Sequence, residues 1–179
     1  MTGFSRTRWR TRAGLAGVAL AALLAAGCAN AQPGVVAYVD DARITQRQVD
    51  DAVDAISTTL EEGQTVSSQA VVNAMIHGQM AEQIAATQSI PITDSDRDAI
   101  LKGSNLAPLL AVPNARPVLD DIADEQIVAG KLGQQYFTEI GKINVTLNPR
   151  FGVLDPNEKT IIADRSSSLA APAAASPTP

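Results

Sequence analysis

Residues 35–40, VVAYVD, are apolar and β-branched, the composition of a strand. Asp40-Asp41-Ala42 supplies a turn, and Ile44 closes a small ribbon. Thr45 is placed to cap a helix, because its hydroxyl can accept from backbone N–H groups two or three residues on. In QRQVDDAVDAISTTL, Val49, Ala52, Val53, Ile56 and Leu60 recur at helical spacing and make one apolar face, with Gly63 as the stop. A second helix is expected from about Ser68 to Thr87, with Val72, Met75, Ile76, Met80 and Ile84 as its buried stripe. Pro91 interrupts the chain, and Thr93-Asp94-Ser95-Asp96 reads as a capping box for a short third helix that runs to about Gly103, with Ile100 and Leu101 inward.

NLAPLLAVPNARP is apolar but cut by Pro108, Pro113 and Pro117, so short turns of helix packed on the core are expected there. The alternative for this segment is the wall of an apolar groove. A last long helix is expected over roughly Asp120–Lys142, with Val128, Leu132, Tyr136, Ile140 and Ile143 as its stripe and Ile127 and Phe137 beside it. Gly130, Gly133 and Gly141 weaken that helix by about 1 kcal/mol each. Asn144–Asn148, NVTLN, returns to strand composition and is expected to pair with Val35–Val39. The fold class is therefore mainly α, with a small β-ribbon joining the N- and C-terminal strands. One domain is expected over 35–163, followed by a disordered Ala/Pro/Ser tail over 164–179.

The opening 27 residues have a different character. Arg6, Arg8, Arg10 and Arg12 precede an uncharged run from Ala13 to Gly27. A basic start, a short apolar run and a small-residue exit form an export signal, and the run falls short of the about 20 residues of a membrane span. Ala25-Ala26-Gly27-Cys28 resembles the lipobox of bacterial lipoproteins, and Cys28 is the only cysteine in the chain. That resemblance implies a diacylglyceryl thioether on Cys28, cleavage just before it, and attachment to the extracytoplasmic face of the cell membrane. Two acyl chains anchor where one binds only reversibly. Residues 28–34 would be a short tether, since six extended residues reach about 20 Å.

Charge narrows the partners. The whole chain carries −5, and losing the four leader arginines takes it to −9. A body that acidic is a poor match for nucleic acid or anionic lipid, so membrane affinity must come from the acyl chains. His77, the sole histidine, lies off the stripe of its helix and is expected on the solvated surface. No cysteine–histidine pair, glycine-rich phosphate loop or spaced ligand set is present, so neither catalysis nor a metal or other cofactor is expected.

VVAYVDDARITQRQVDDAV resembles the opening of the SurA N-terminal domain family, through Val36, Val39, Ile44 and Thr45. Asp40-Asp41 stands where that family usually has Asn-Gly. Asn148, Pro149, Arg150, Phe151 and Gly152, followed by VLDP, resemble the N-P-R-F-G-x-x-D segment that closes small actinobacterial lipoproteins carrying this domain. The resemblance covers about residues 35–156. It implies a helical, chaperone-type module that binds exported or unfolded polypeptide. Relatives often insert a parvulin prolyl isomerase before the final segment, and the short stretch after Gly103 leaves no room for one. The other reading is an adaptor lipoprotein docking one fixed envelope partner. Within NPRFG, Arg150 is expected to pair with Asp155 and Phe151 to plug the core.

Overall fold

A computed structural model describes residues 33–60 and 65–162. Cys28, the leader, Gly63 and the tail from residue 164 lie outside the described residues. The described part begins with strand β1 (Val35–Val39) and strand β2 (Ala42–Thr45), then helices α1 (Gln46–Ser57), α2 (Ser68–Gln88) and α3 (Asp94–Lys102). Two 3-10 turns, Ala107–Ala111 and Pro113–Ala115, lead into α4 (Arg116–Leu132) and α5 (Gln135–Ile140). Strand β3 (Val145–Leu147), a 3-10 turn at Pro149–Phe151, and strands β4 (Val153–Leu154) and β5 (Ile161–Ile162) complete it. The architecture is mainly α with a small antiparallel sheet.

Both capping boxes form. Thr45 Oγ1 accepts from the Gln48 N–H while Gln48 Oε1 accepts from the Thr45 N–H at 2.8 Å. Thr93 and Asp96 make the same reciprocal pair at the start of α3. Each box satisfies donors that a helix start leaves orphaned. α1 stops at Ser57, short of Leu60, because Ser57, Thr58 and Thr59 turn their hydroxyls back onto the carbonyls of Val53, Ala55 and Ile56.

The sheet order is β2-β1-β3, all antiparallel. Ala37, Tyr38 and Val39 face Leu147, Thr146 and Val145, so the two ends of the body are stitched together. Asp40 carries the β1–β2 turn at φ 47, the left-handed conformation that its short polar side chain tolerates. Its carboxylate also accepts the Asn144 N–H at 3.1 Å, which ties the turn to β3. Val36, Val39 and Ile44 are buried against α2, and Gln83 Nε2 donates to the Val39 carbonyl at 3.0 Å.

α2 is the central element. Every residue of its expected stripe is buried, and Val71, Ala81 and Ala85 are buried with them. Each large side chain so enclosed contributes about 1.5–3 kcal/mol. A second cluster of Ala55, Leu101, Leu109, Ala115, Leu119 and Ala123 joins α1, α3, the proline-cut turns and α4. The segment NLAPLLAVPNARP thus supplies core contacts through Leu109 and Ala115.

α2 packs most heavily on α4, and the crossing is unusually close. A Cβ placed on Gly78 would fall on the Cα, Cβ and Oδ1 atoms of Asp121. α3 is then clamped to α4 by Arg97, whose Nε and Nη2 donate to the two Asp124 oxygens at 2.6 and 2.8 Å. Its Nη1 reaches Asp94 at 3.0 Å. Asp124 is 1% exposed, so the bidentate fork is what makes its charge tolerable there.

Three sequence expectations are corrected. The expected 120–142 helix is two helices: α4 starts four residues earlier, accepting Pro117 in its first turn, and ends where Gly133 takes φ +54. The restart in α5 turns Tyr136 and Ile140 inward and leaves Phe137 60% exposed, although it was expected beside the buried stripe. Arg150 forms no ion pair with Asp155. The Asp155 carboxylate instead accepts the N–H groups of Glu158 and Asn157 at 2.9 and 2.8 Å, which hold it below the usual carboxylate range. Beyond NPRFG, where the sequence raised no expectation, the chain folds back as the β4–β5 pair, since two-residue strands leave no readable period.

Asn148 builds the NPRFG turn. Its Oδ1 accepts from the Arg150 N–H at 3.1 Å and its Nδ2 donates to the Val35 carbonyl at 3.2 Å. Pro149 opens the turn, Arg150 is exposed, and Phe151 packs half-buried against the core. Gly152 sits at φ +122 with the Ile161 side chain and Ile162 carbonyl where a Cβ would be, so no other residue fits.

Two stability outcomes follow from these contacts. Gly78→Ala gains about 1 kcal/mol of helix propensity but forces α4 off α2, an overpacking cost of about 1–3 kcal/mol or more when backbone must move. A net drop in urea-unfolding free energy is expected. Asp124→Ala leaves the Arg97 guanidinium with Asp94 as its partner and is expected to cost about 2–3 kcal/mol in the same measurement.

Candidate functional site

His77 follows Ile76 on α2, and Glu125 lies one turn after Asp121 on α4. The close crossing at Gly78 therefore presses these two side chains together. His77 Nδ1 stands 2.9 Å from Glu125 Oε1. On the other side of the ring, Nε2 is 3.3 Å from the Thr160 hydroxyl, which enters from the β4–β5 hairpin. The histidine expected on the solvated surface is only 14% exposed by its side chain. The hairpin is held in reach by α2 itself: Gln69 Nε2 donates to the Phe151 carbonyl at 3.0 Å, and the Ile161 N–H donates to Asn73 Oδ1 at 2.7 Å.

These residues line a cavity of about 500 Å³ between α2, α4, α5 and the hairpin. Ala129, Phe137 and Ile140 give it an apolar side, and Glu125, Tyr136 and Thr160 a polar one. Phe137 meets Tyr136 edge-on, with ring centroids 6.0 Å apart. Tyr136 is 4% exposed, and the group its hydroxyl faces is the Glu125 carboxylate, though without good alignment. Burial, then the Glu125 charge and the hydrogen bond to Glu125, push its phenol pKa upward. His77 Nδ1 is likewise buried without an aligned hydrogen bond, despite its closeness to Glu125. Glu125 thus faces two buried polar atoms, Nδ1 of His77 and the Tyr136 hydroxyl, at the edge of one cavity.

The order hydroxyl, imidazole, carboxylate matches that of a nucleophilic relay. The same side chains are donors and acceptors beside an apolar wall, a combination that ligand pockets share. Among the described residues no group of three or more His, Cys, Asp or Glu side chains is arranged to hold a metal ion, and no helix is long and apolar enough to cross a membrane.

A second cavity, about 360 Å³, opens on the other side of the α2–α4 crossing, between Arg43, Gln48, Asp51 and Asp121. Burial of Asp121 against α2, followed by repulsion from Glu82 and Asp124, pushes its carboxyl up to about 8; a hydrogen bond from Gln79 opposes this without matching it.

The sequence motifs and this site coincide only in part. NPRFG does not line the cavity; it positions the hairpin that does, through the Phe151 carbonyl and the Gly152 contact with Ile161. Cys28 lies outside the described residues. Sequence periodicity misses Glu125, Tyr136 and Thr160 as partners of His77, and the available signal was weak: Asp121 and Glu125 at i,i+4 across from a glycine. No protein-family profile, curated protein or solved structure matches the chain.

Asp121 sets a pH dependence. A carboxyl raised in the folded state contributes stability that is complete below its unfolded pKa near 4 and is lost as pH rises through about 8. Unfolding free energy measured in urea is expected to fall from pH 5 to pH 9, by on the order of a few kcal/mol once reduced for solvent reaching this half-buried group. Asp121→Asn is expected to flatten most of that slope.

Proposed function

We propose that this chain is a lipid-anchored, extracytoplasmic binding module for exported, unfolded polypeptide, tethered to the cell membrane through a diacylglyceryl group on Cys28. The observation that supports the reading best is the cavity beneath exposed Phe137, apolar along one side and hydrogen-bonding along the other. Val153 and Ile162, paired across β4–β5, add two further exposed apolar side chains on the hairpin that borders the cavity. A solvent-facing mixture of this kind suits segments of chain that carry both apolar side chains and unsatisfied backbone.

The likeness to SurA N-terminal domains supports the same function. Its expected strand, turn and capped helix correspond to β1, the Asp40 turn, and α1 starting at Thr45. Between α3 and α4 the chain spends only residues 103–115, which favours a chaperone-type module without an inserted isomerase. The acidic body discourages nucleic acid as a partner.

Two measurements test this reading together. Mass spectrometry of the native membrane-fraction protein is expected to show a chain beginning at a diacylated Cys28, and Cys28→Ala is expected to release it from membranes. The purified lipidated chain in detergent is expected to slow aggregation of a reduced, alkylated protein in proportion to its concentration. A titratable thiol at Cys28 would end the anchoring claim. Inert behaviour towards unfolded protein, with one tight partner recovered by cross-linking, would replace the chaperone reading with an adaptor.

A further inference from the structure

The β4–β5 hairpin has two unlike faces. Val153 and Ile162 are cross-strand partners, and so are Leu154 and Ile161, so each pair lies on one face of the ribbon. Leu154 and Ile161 pack into the core. Val153 and Ile162 point away from it, 48% and 51% exposed, and among the described residues Phe137 is the one other large apolar side chain so open. The hairpin is also the electrically neutral part of an acidic body. Residues 148–162 carry Arg150 and Lys159 against Asp155 and Glu158, so the −9 of the cleaved chain lies elsewhere. Its place relative to the first strand is fixed. The Asn148 N–H donates to the Val36 carbonyl at 2.8 Å, and the Asn148 Nδ2 donates to the Val35 carbonyl at 3.2 Å. Val35 follows the 28–34 tether directly, and Val153 comes five residues after Asn148, a span of at most about 17 Å.

We infer that Val153 and Ile162 dock on the lipid bilayer that holds the anchor, seating the hairpin at the boundary of headgroups and acyl chains. This rests on the Cys28 anchoring in the reading above. It divides the exposed apolar surface in the anchored protein: the hairpin pair meets lipid, and Phe137 at the cavity is left to the client. Reach argues for lipid. The tether extends about 20 Å and the 148–153 span about 17 Å, so the hairpin meets the surface without the body leaving its anchor. Charge argues for it too. The neutral hairpin escapes the repulsion that the acidic helices meet at anionic headgroups. Chemistry completes the case, because a pair of aliphatic side chains brings no polar atom that lipid would leave unsatisfied. Two such side chains hold a free protein only weakly. The anchored chain is already at the surface, so its contact forms at a high effective concentration. Docking then fixes which end of the body faces the membrane, which a short tether alone leaves open.

The test uses the isotopically labelled lipidated chain, its diacylated mass verified, in phosphatidylcholine nanodiscs with and without a gadolinium-chelating lipid. Gadolinium relaxation of backbone amides is expected to be strongest at Val153 and Ile162 and clearly weaker at Phe137. Val153→Thr combined with Ile162→Thr keeps the β-branched shape and places hydroxyls on the outward face. Its melting temperature in detergent is expected to stay unchanged, and the docked-to-undocked ratio read from the relaxation to fall about tenfold. Should the double variant melt lower, the single variants, expected to lose about threefold each, carry the same test. In nanodiscs containing phosphatidylglycerol, docking is expected to weaken at low salt and recover as salt is added, the reverse of a basic patch. Relaxation at Val153 and Ile162 no stronger than at Phe137, or unchanged by the threonines, would overturn the inference. If the threonines leave relaxation unchanged but reduce suppression of aggregation, the pair belongs to the client and only the client reading stands. A preparation without a diacylated Cys28 ends the anchoring reading and this contact with it. A diacylated chain with no gadolinium effect at the hairpin overturns the contact alone.

Discussion

The rest of the structure depends on one close approach, the contact of α4 with α2 at Gly78. Helices in small domains usually meet across interlocking side chains, about 8–10 Å apart. Here the missing side chain lets the Asp121 backbone lie directly on α2. Everything that follows on α4 is placed by that contact. Asp121 is drawn into low-dielectric surroundings beside Glu82, which is why its carboxyl prefers its proton. Glu125, one turn further, is carried against His77. Asp124, on the flank of the same helix, is left facing α3, where only the Arg97 fork can make its burial tolerable. A single glycine thus determines where three carboxylates go and what each must meet.

The fold was legible wherever it is local. Capped, periodic segments such as Thr45–Ser57 and Thr93–Lys102 state their own beginning and face, because the hydroxyl, the reciprocal Gln48 or Asp96 and the apolar spacing all lie within one element. Pairing of Val35–Val39 with Val145–Leu147 was legible for a different reason: two strand-like runs at opposite ends of a helical body have few other partners. The break at Gly133 was not. Gly130, Gly133 and Gly141 are equivalent to a periodicity count, and the one that adopts positive φ is chosen by the need to bring Tyr136 and Ile140 back onto the core. Phe137 becomes exposed as a consequence of that choice.

The candidate site was illegible for the same physical reason, in stronger form. His77 lies off the buried stripe of its own helix, so periodicity assigns it to solvent. Its burial comes from α4 on one side and from a hairpin 83 residues away on the other. Thr160 has no pattern of its own; it is set in place because Gly152 permits the chain to fold flat against Ile161 and because Asn73 and Gln69 receive that hairpin on α2. NPRFG was recognisable as a motif, yet its part is to aim this hairpin, and Arg150, the residue that drew attention to an ion pair, points to solvent.

The polar atoms beside the cavity can be weighed against the rest of the molecule. Two buried carboxylates are matched by cations: Asp124 receives two bonds from Arg97, and Glu139 receives two from Lys142, which hold it below the usual carboxylate range, while Asp121 is left among like charges and its carboxyl is pushed up to about 8. Tyr136 and His77 Nδ1 converge on the Glu125 carboxylate, one acceptor shared by two buried side chains. A buried group without a partner costs about 1–3 kcal/mol, comparable to a large share of a small domain's net stability. By facing both, one carboxylate joins α2, α4 and α5, which makes Glu125 as much a part of the packing of α5 as of the cavity it borders.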